Sequence, residues 1–141
     1  MNDRGYAGDV VPAAAWRILS EDSEAVLVDC RTKAEWAFVG LPDLSSLGRQ
    51  TVCVEWNRYP DMAINGDFAQ ELDAAGVGPE QTVLFICRSG QRSRSAAIAM
   101  TSAGYQRCYN VAEGFEGNHD GDRHRGTVGG WKVVPLPWVQ G

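Results

Sequence analysis

Apolar and polar positions along the chain fall into short blocks whose period switches repeatedly between two and about 3.6 residues. Four blocks read as strands. Ala25 to Asp29 is an apolar run closing on an acid, and Gln50 to Trp56 reads QTVCVEW. Thr82 to Ile86 is β-branched and apolar throughout, and Arg107 to Val111 is the last of the four. Each is too short for a helix and is bounded by turn residues. Between them lie segments of helical spacing. Pro12 suits the first turn of a helix that runs through Ala13 to Leu19, with Trp16 and Leu19 on one face. Thr32-x-x-Glu35 is a capping box that opens a second helix with Trp36 buried, ended by Gly40-Leu41-Pro42. Asp67 is placed to cap a third, with Phe68, Leu72 and Ala75 on one face and Gly76 as its stop. The Ala-rich segment Arg92 to Ala103, stopped by Gly104, is the fourth.

Strands alternating with helices predict an α/β fold on a mainly parallel sheet. The runs VLVDC and VLFIC are apolar at every position but the acid, as central strands covered on both faces require. Parallel strands bring their carboxyl ends to one edge, where open α/β sheets bind ligands. The period alone does not supply the strand order.

The 141 residues fit one domain, and such a chain can bury a core without disulfides. Residues 1–9 are polar and read as a loosely held tail. Residues 112–130, rich in glycine and charge, read as a long loop. His119, His124, Asp120 and Asp122 in that loop match no strong metal spacing, so no metal and no cofactor is expected. Asn57 to Asn65 is a further loop, and Trp56, Arg58 and Tyr59 are open to two readings, site mouth or surface packing.

A net charge of −5 argues against nucleic acid as a partner. No apolar run approaches the ~20 residues of a membrane span, and the amino terminus lacks a signal-peptide core. A cytoplasmic location is the expectation. There, Cys30, Cys53, Cys87 and Cys108 should be free thiols. Cys30, Cys53 and Cys108 read as small buried hydrophobes, with Cys30 the best placed to act as a resolving thiol.

Cys87 differs from the others. It lies between the Thr82–Ile86 strand and the helix that follows, where free backbone amides and the helix dipole favour a thiolate. Arg88, Arg92 and Arg94 follow within eight residues, with no acid among them.

The run Cys87-Arg88-Ser89-Gly90-Gln91-Arg92-Ser93 resembles the active-site loop of the rhodanese family of sulfurtransferases. Leu27-Val28-Asp29-Cys30-Arg31-Thr32 with Glu35 and Trp36 resembles the family's amino-terminal signature. Tyr109-Asn110-Val111 through Gly114, then Trp131 and Leu136-Pro137, resembles its carboxyl-terminal one. The likeness covers nearly the whole chain. It departs at Leu41-Pro42-Asp43-Leu44, and again at 112–130, which looks like an insertion.

The resemblance implies a rhodanese-like, five-stranded sheet with helices on both faces. It also implies thiosulfate sulfurtransferase activity through a persulfide on Cys87. Backbone amides from Arg88 to Ser93 (Arg88, Ser89, Gly90, Gln91, Arg92 and Ser93) would cradle the sulfur. Arg88 and Arg92 would attract an anionic donor. Asp29 and Arg31 would support the loop, Asp29 by holding one of its arginines, or would form a structural pair. The partners implied are a small sulfur donor and a thiol or cyanide acceptor, with a protein acceptor also open. All of this needs the Cys87 sulfur to lie within reach of a donor. The alternatives are a sulfur-relay or redox-sensing module working with a protein partner, and a phosphatase or arsenate reductase. Cysteine phosphatases use C-x5-R, whereas the spacing here from Cys87 to Arg92 is C-x4-R, a tighter loop.

Overall fold

A computed structural model describes residues 5–117, 129–134 and 136–139. Its centre is a five-stranded sheet in the order β1-β8-β7-β2-β4, with every neighbouring pair parallel. The strands are β1 (Gly8–Val10), β2 (Val26–Asp29), β4 (Val52–Cys53), β7 (Thr82–Ile86) and β8 (Arg107–Val111). The helices are α1 (Pro12–Glu21), α2 (Lys33–Phe38), α3 (Phe68–Ala74) and α4 (Gln91–Ser102). Two small antiparallel ribbons complete the set. β3 (Leu41–Pro42) pairs with β9 (Trp138–Val139), and β5 (Asn57–Arg58) pairs with β6 (Ala63–Ile64).

Alternation along the central strands sorts their side chains into two cores. Val83 and Phe85 of β7 and Val28 of β2 pack with Phe68 and Leu72 of α3 and Ala96, Ala97 and Met100 of α4. Leu84, Ile86 and Leu27 face the other way, onto Ala15 and Leu19 of α1, Phe115 and Trp131. Trp131 is fully buried, meets Trp16 edge-on at 5.9 Å, and donates its indole N–H to the Pro137 carbonyl at 2.7 Å. Helices therefore cover both faces, as expected. Cys87 continues the alternation of β7 and falls on the α4 side.

Several expectations need correction. Residues 5–10 do not form a loose end, because β1 is the sheet's edge strand and Tyr6 is 2% exposed. The strand expected over Gln50 to Trp56 shrinks to Val52–Cys53, and Cys53 is exposed. Asp67 makes no cap hydrogen bond, since its carboxylate binds Arg58 at 2.9 Å, and Ala75 is exposed. Trp36 is half-buried. Most of the 112–130 loop, including His119, Asp120, Asp122 and His124, lies outside the described residues. No described helix is long and apolar enough to cross a membrane.

Candidate active site

Three adjacent inner strands, β2, β7 and β8, end beside one another and deliver the site residues to one edge of the sheet. Asp29 closes β2, Cys87 follows β7, and Val111 closes β8. Gly90 starts α4 with a φ of 111°, a left-handed conformation that glycine adopts at little cost. No side chain caps this helix, so its first-turn amides are left for whatever sits at Cys87. The Gly90 N–H points at Cys87 Sγ across 3.2 Å, and Ser93 Oγ lies 3.2 Å from the same sulfur. Arg88, Ser89 and Gln91 lie on the outer side, with Arg88 and Gln91 exposed and Ser89 half-buried. Cys87 itself is only 1% exposed, so its sulfur is not open to a donor at rest.

The loop is held from behind by the turn after β8. Phe115 N–H donates to the Cys87 carbonyl at 2.8 Å, and Glu116 and Gly117 N–H groups donate to the Arg88 carbonyl at 2.9 and 3.2 Å. With those carbonyls turned outward, the loop's amides are free to turn inward. Gly114 is required for this approach. Its φ is +62°, and a Cβ there would lie 2.4 Å from the Cys87 carbonyl oxygen.

Asp29 and Arg31 prove to be partners of each other. Asp29 accepts from Arg31 Nε and Nη2, the latter at 2.6 Å, and both side chains are fully buried. Arg31 Nη2 also donates to the Gly40 carbonyl at 2.6 Å, and its guanidinium lies 4.4 Å from the centre of the Phe115 ring. Burial opposes the charge on Arg31, but the hydrogen bonds and charge of Asp29 outweigh it and hold the guanidinium protonated. The pair thus braces β2 against the turn that grips the active loop.

The acid that holds a loop arginine is Glu35, not Asp29. Glu35 takes both Arg92 nitrogens, Nη1 at 2.7 Å and Nη2 at 2.9 Å. The same carboxylate closes the capping box of α2 with Thr32, as expected. Sequence reasoning saw the cap and missed the ion pair, because the two residues stand 57 positions apart. Burial raises the Glu35 carboxyl, but the Arg92 hydrogen bonds and charge, helped by Thr32 and Arg31, hold it below the usual carboxylate range. A lowered folded value adds stability above the unfolded value of about 4.3, and that stability is lost as pH falls through the folded one. Glu35→Gln should therefore cost about 1–2 kcal/mol at neutral pH, between exposed and buried ion pairs. The deficit should shrink to nothing well below pH 4, as read by chemical unfolding across pH. A deficit that persists in acid would mean the pair is not its source.

Cys30 sits beneath the site, fully buried, its thiol donating to the Ile86 carbonyl at 3.3 Å. Burial, then the neighbouring Cys87 and Asp29, raise its pKa well above the ordinary thiol value. It is thereby kept protonated, the opposite of what a resolving thiolate needs. Arg88 and Arg94 are exposed and have no ion-pair partner among the described residues. Asn110, quoted above only as part of the carboxyl-terminal signature, and Asp9, not singled out by sequence, join the site through Ser93. The available signal was a polar asparagine at the penultimate position of β8, followed by an apolar valine.

The model of the STR4 middle domain matches residues 8–141. The chain belongs to that family. A crystal structure of Rv0390 from M. tuberculosis is 52% identical, superposes with a TM-score of 0.88, and is covered over 99% of its length by 96% of this chain. RC0915, an uncharacterized protein of Rickettsia conorii, is 35% identical over 131 residues, which are 92% of this chain and 95% of that protein. The thiosulfate sulfurtransferase GlpE of Actinobacillus pleuropneumoniae is 28% identical over 109 residues, which are 77% of this chain and 83% of that one. At the level of the family, a sulfurtransferase-type role is supported.

Proposed function

We propose that this STR4 middle domain protein is a sulfurtransferase of the thiosulfate type that carries sulfur as a persulfide on Cys87. The Cys87 thiolate attacks the outer sulfur of thiosulfate or a similar donor. A sulfur–sulfur bond forms to Cys87, the donor's own sulfur–sulfur bond breaks, and sulfite leaves with its electron pair. An acceptor thiolate, cyanide or a protein thiol then attacks the outer sulfur, and the Cys87 thiolate departs. Two easier displacements replace one hard transfer. Positioned donors next to the sulfur stabilise the charge at each stage, and the Gly90 N–H and the Ser93 hydroxyl are already there.

The observation that carries this reading is the position of Cys87 Sγ, which faces a backbone amide and a hydroxyl at the uncapped start of α4. Arg92 acts as a brace through Glu35, which leaves exposed Arg88 to draw the anionic donor. Because Cys87 is 1% exposed, a donor enters only when the outer side of the loop, Arg88 to Gly90, moves aside. The C-x4-R spacing favours a cradle for one sulfur over one for phosphate.

The test is a parallel assay on the wild-type chain. Thiocyanate should form from thiosulfate and cyanide, and an aryl phosphate should not be hydrolysed. Hydrolysis of the aryl phosphate without thiocyanate would favour phosphatase chemistry. Sulfur accepted only from a persulfidated protein would favour a relay module.

A further inference from the structure

A chain of polar side chains runs from the edge strand β1 to the reacting sulfur, and the reaction above leaves most of it unused. The Tyr6 hydroxyl donates to Asp9 Oδ1 at 2.8 Å. Asn110 Nδ2 donates to the same oxygen at 3.0 Å. Asn110 Oδ1 accepts from the Ser93 hydroxyl at 2.5 Å, and Ser93 Oγ lies 3.2 Å from Cys87 Sγ. Ser93 and Asn110 are 0% and 4% exposed, while Asp9 reaches the surface.

Chemistry fixes the direction of this chain. A carboxylate only accepts hydrogen bonds, so the Asn110 edge that faces Asp9 is its NH2 group. The Asn110 carbonyl oxygen then faces Ser93, and it too can only accept. Ser93 has one hydroxyl proton. Asn110 and the Cys87 sulfur compete for it, and the shorter contact is to Asn110. When the sulfur carries negative charge, the hydroxyl must turn to it and abandon Asn110.

We infer that Asp9 and Asn110 are positioning residues that hold the Ser93 proton away from Cys87 in the resting site. Asp9 does so by fixing which way the Asn110 amide faces. The inference rests on the reading of Cys87 as the nucleophile. It makes the reactivity of Cys87 depend on a carboxylate 101 residues away in sequence from the asparagine it orients. Among the described residues, Cys30 just past the end of β2 and Arg92 on α4 interact electrostatically with Cys87, with Glu35 of α2 behind Arg92. None of these is altered in the test.

The experiment is alkylation of Cys87 by iodoacetamide in the full chain at a fixed neutral pH, followed by peptide mass. Asp9→Ala frees the Asn110 amide to rotate, so the Ser93 proton passes to the sulfur and the thiolate fraction rises. A tenfold rise, partly offset by the lower intrinsic nucleophilicity of a more acidic thiol, gives about threefold faster alkylation. Asp9→Asn keeps an accepting oxygen and should restore nearly the wild-type rate. In a Ser93→Ala background, Asp9→Ala should have no effect. Asn110→Leu removes the competing acceptor directly and should reproduce the Ser93-dependent gain.

A rate that is unchanged or slower in both Asp9→Ala and Asn110→Leu would overturn the inference. So would a gain that survives without Ser93. Alkylation needs no sulfur transfer, so the two readings fail separately. A Ser93-dependent gain in the variants, with a wild-type chain that takes no sulfur, would keep this inference and remove the proposed function.

Discussion

Replacement of Cys87 with serine should abolish thiocyanate formation from thiosulfate and cyanide, a fall of at least about 10³-fold. The reason is chemical and not structural. A serine hydroxyl fits the same space and meets the same partners, Gly90 N–H and Ser93 Oγ. It cannot accumulate as an anion at neutral pH, and it cannot hold a second sulfur that leaves again as part of a persulfide. Stability should change by no more than about 1 kcal/mol, because size and polarity are nearly conserved. Thermal unfolding of the variant against wild type checks that half. Activity retained in Cys87→Ser would remove this residue from the mechanism. Activity lost together with folding would leave the result to the mass measurement below.

Gly114→Ala should be nearly as damaging, and by a wholly different route. The new Cβ would stand 2.4 Å from the Cys87 carbonyl oxygen and 2.7 Å from the carbonyl carbon and oxygen of Arg88. All three are backbone atoms, so no flexible side chain can swing away. The φ of +62° adds strain of its own. The turn and the active loop must move apart, which weakens the bonds from Phe115 and Glu116 N–H to Cys87 and Arg88. The cost should be about 3 kcal/mol of stability. Displacement of the cradle by roughly an ångström should cost about 10²-fold in sulfur transfer. Gly76 provides the control. Its φ is +87°, but a Cβ there meets nothing within 4 Å. Gly76→Ala should lose about 1 kcal/mol through strain alone and keep its activity. Equal losses of activity in the two variants would show that the close approach at Gly114 is not what shapes the loop.

The parts of the fold visible in the sequence were those that local physics controls. The capping box at Thr32 and Glu35 formed as its spacing requires, and Pro12 opened α1. The apolar run of β7, fully buried on both faces, and the strand–loop–helix order around Cys87 followed from composition and turn residues. What stayed hidden depends on pairing across the chain. β1 is three residues long and has no signal apart from its hydrogen bonds to β8. Tyr6 just before it is buried in the structure, which anchors this end. Asp67 had the right residue type for a cap, but Arg58 offered its carboxylate a charged partner and won. Asp29 was the acid expected to hold a loop arginine, and Glu35 was read only as a cap and as part of a signature. Arg31, two residues from Asp29 and buried with it, needed a counter-charge of its own, which left Arg92 to Glu35. Asn110 was absorbed into a strand, and only its contacts with Ser93 and Asp9 reveal what a polar side chain does there.

The burial of Cys87 also changes the expected picture of catalysis. The expectation was a tight cradle of amides within reach of a donor, with Arg88 and Arg92 both drawing that donor in. The structure instead shows one arginine spent on Glu35 and a sulfur shielded at rest. Under the proposed function, donor capture would fall to exposed Arg88 and would need the loop's outer side to move.

The most direct test is the intact mass of the purified chain after incubation with thiosulfate and removal of excess donor. The account predicts a gain of one sulfur atom, mapped by peptide mass to Cys87, reversed by cyanide and absent from Cys87→Ser. A chain that gains no sulfur from thiosulfate or from a persulfide donor, or gains it on Cys30, Cys53 or Cys108 with Cys87 unmodified, would contradict it.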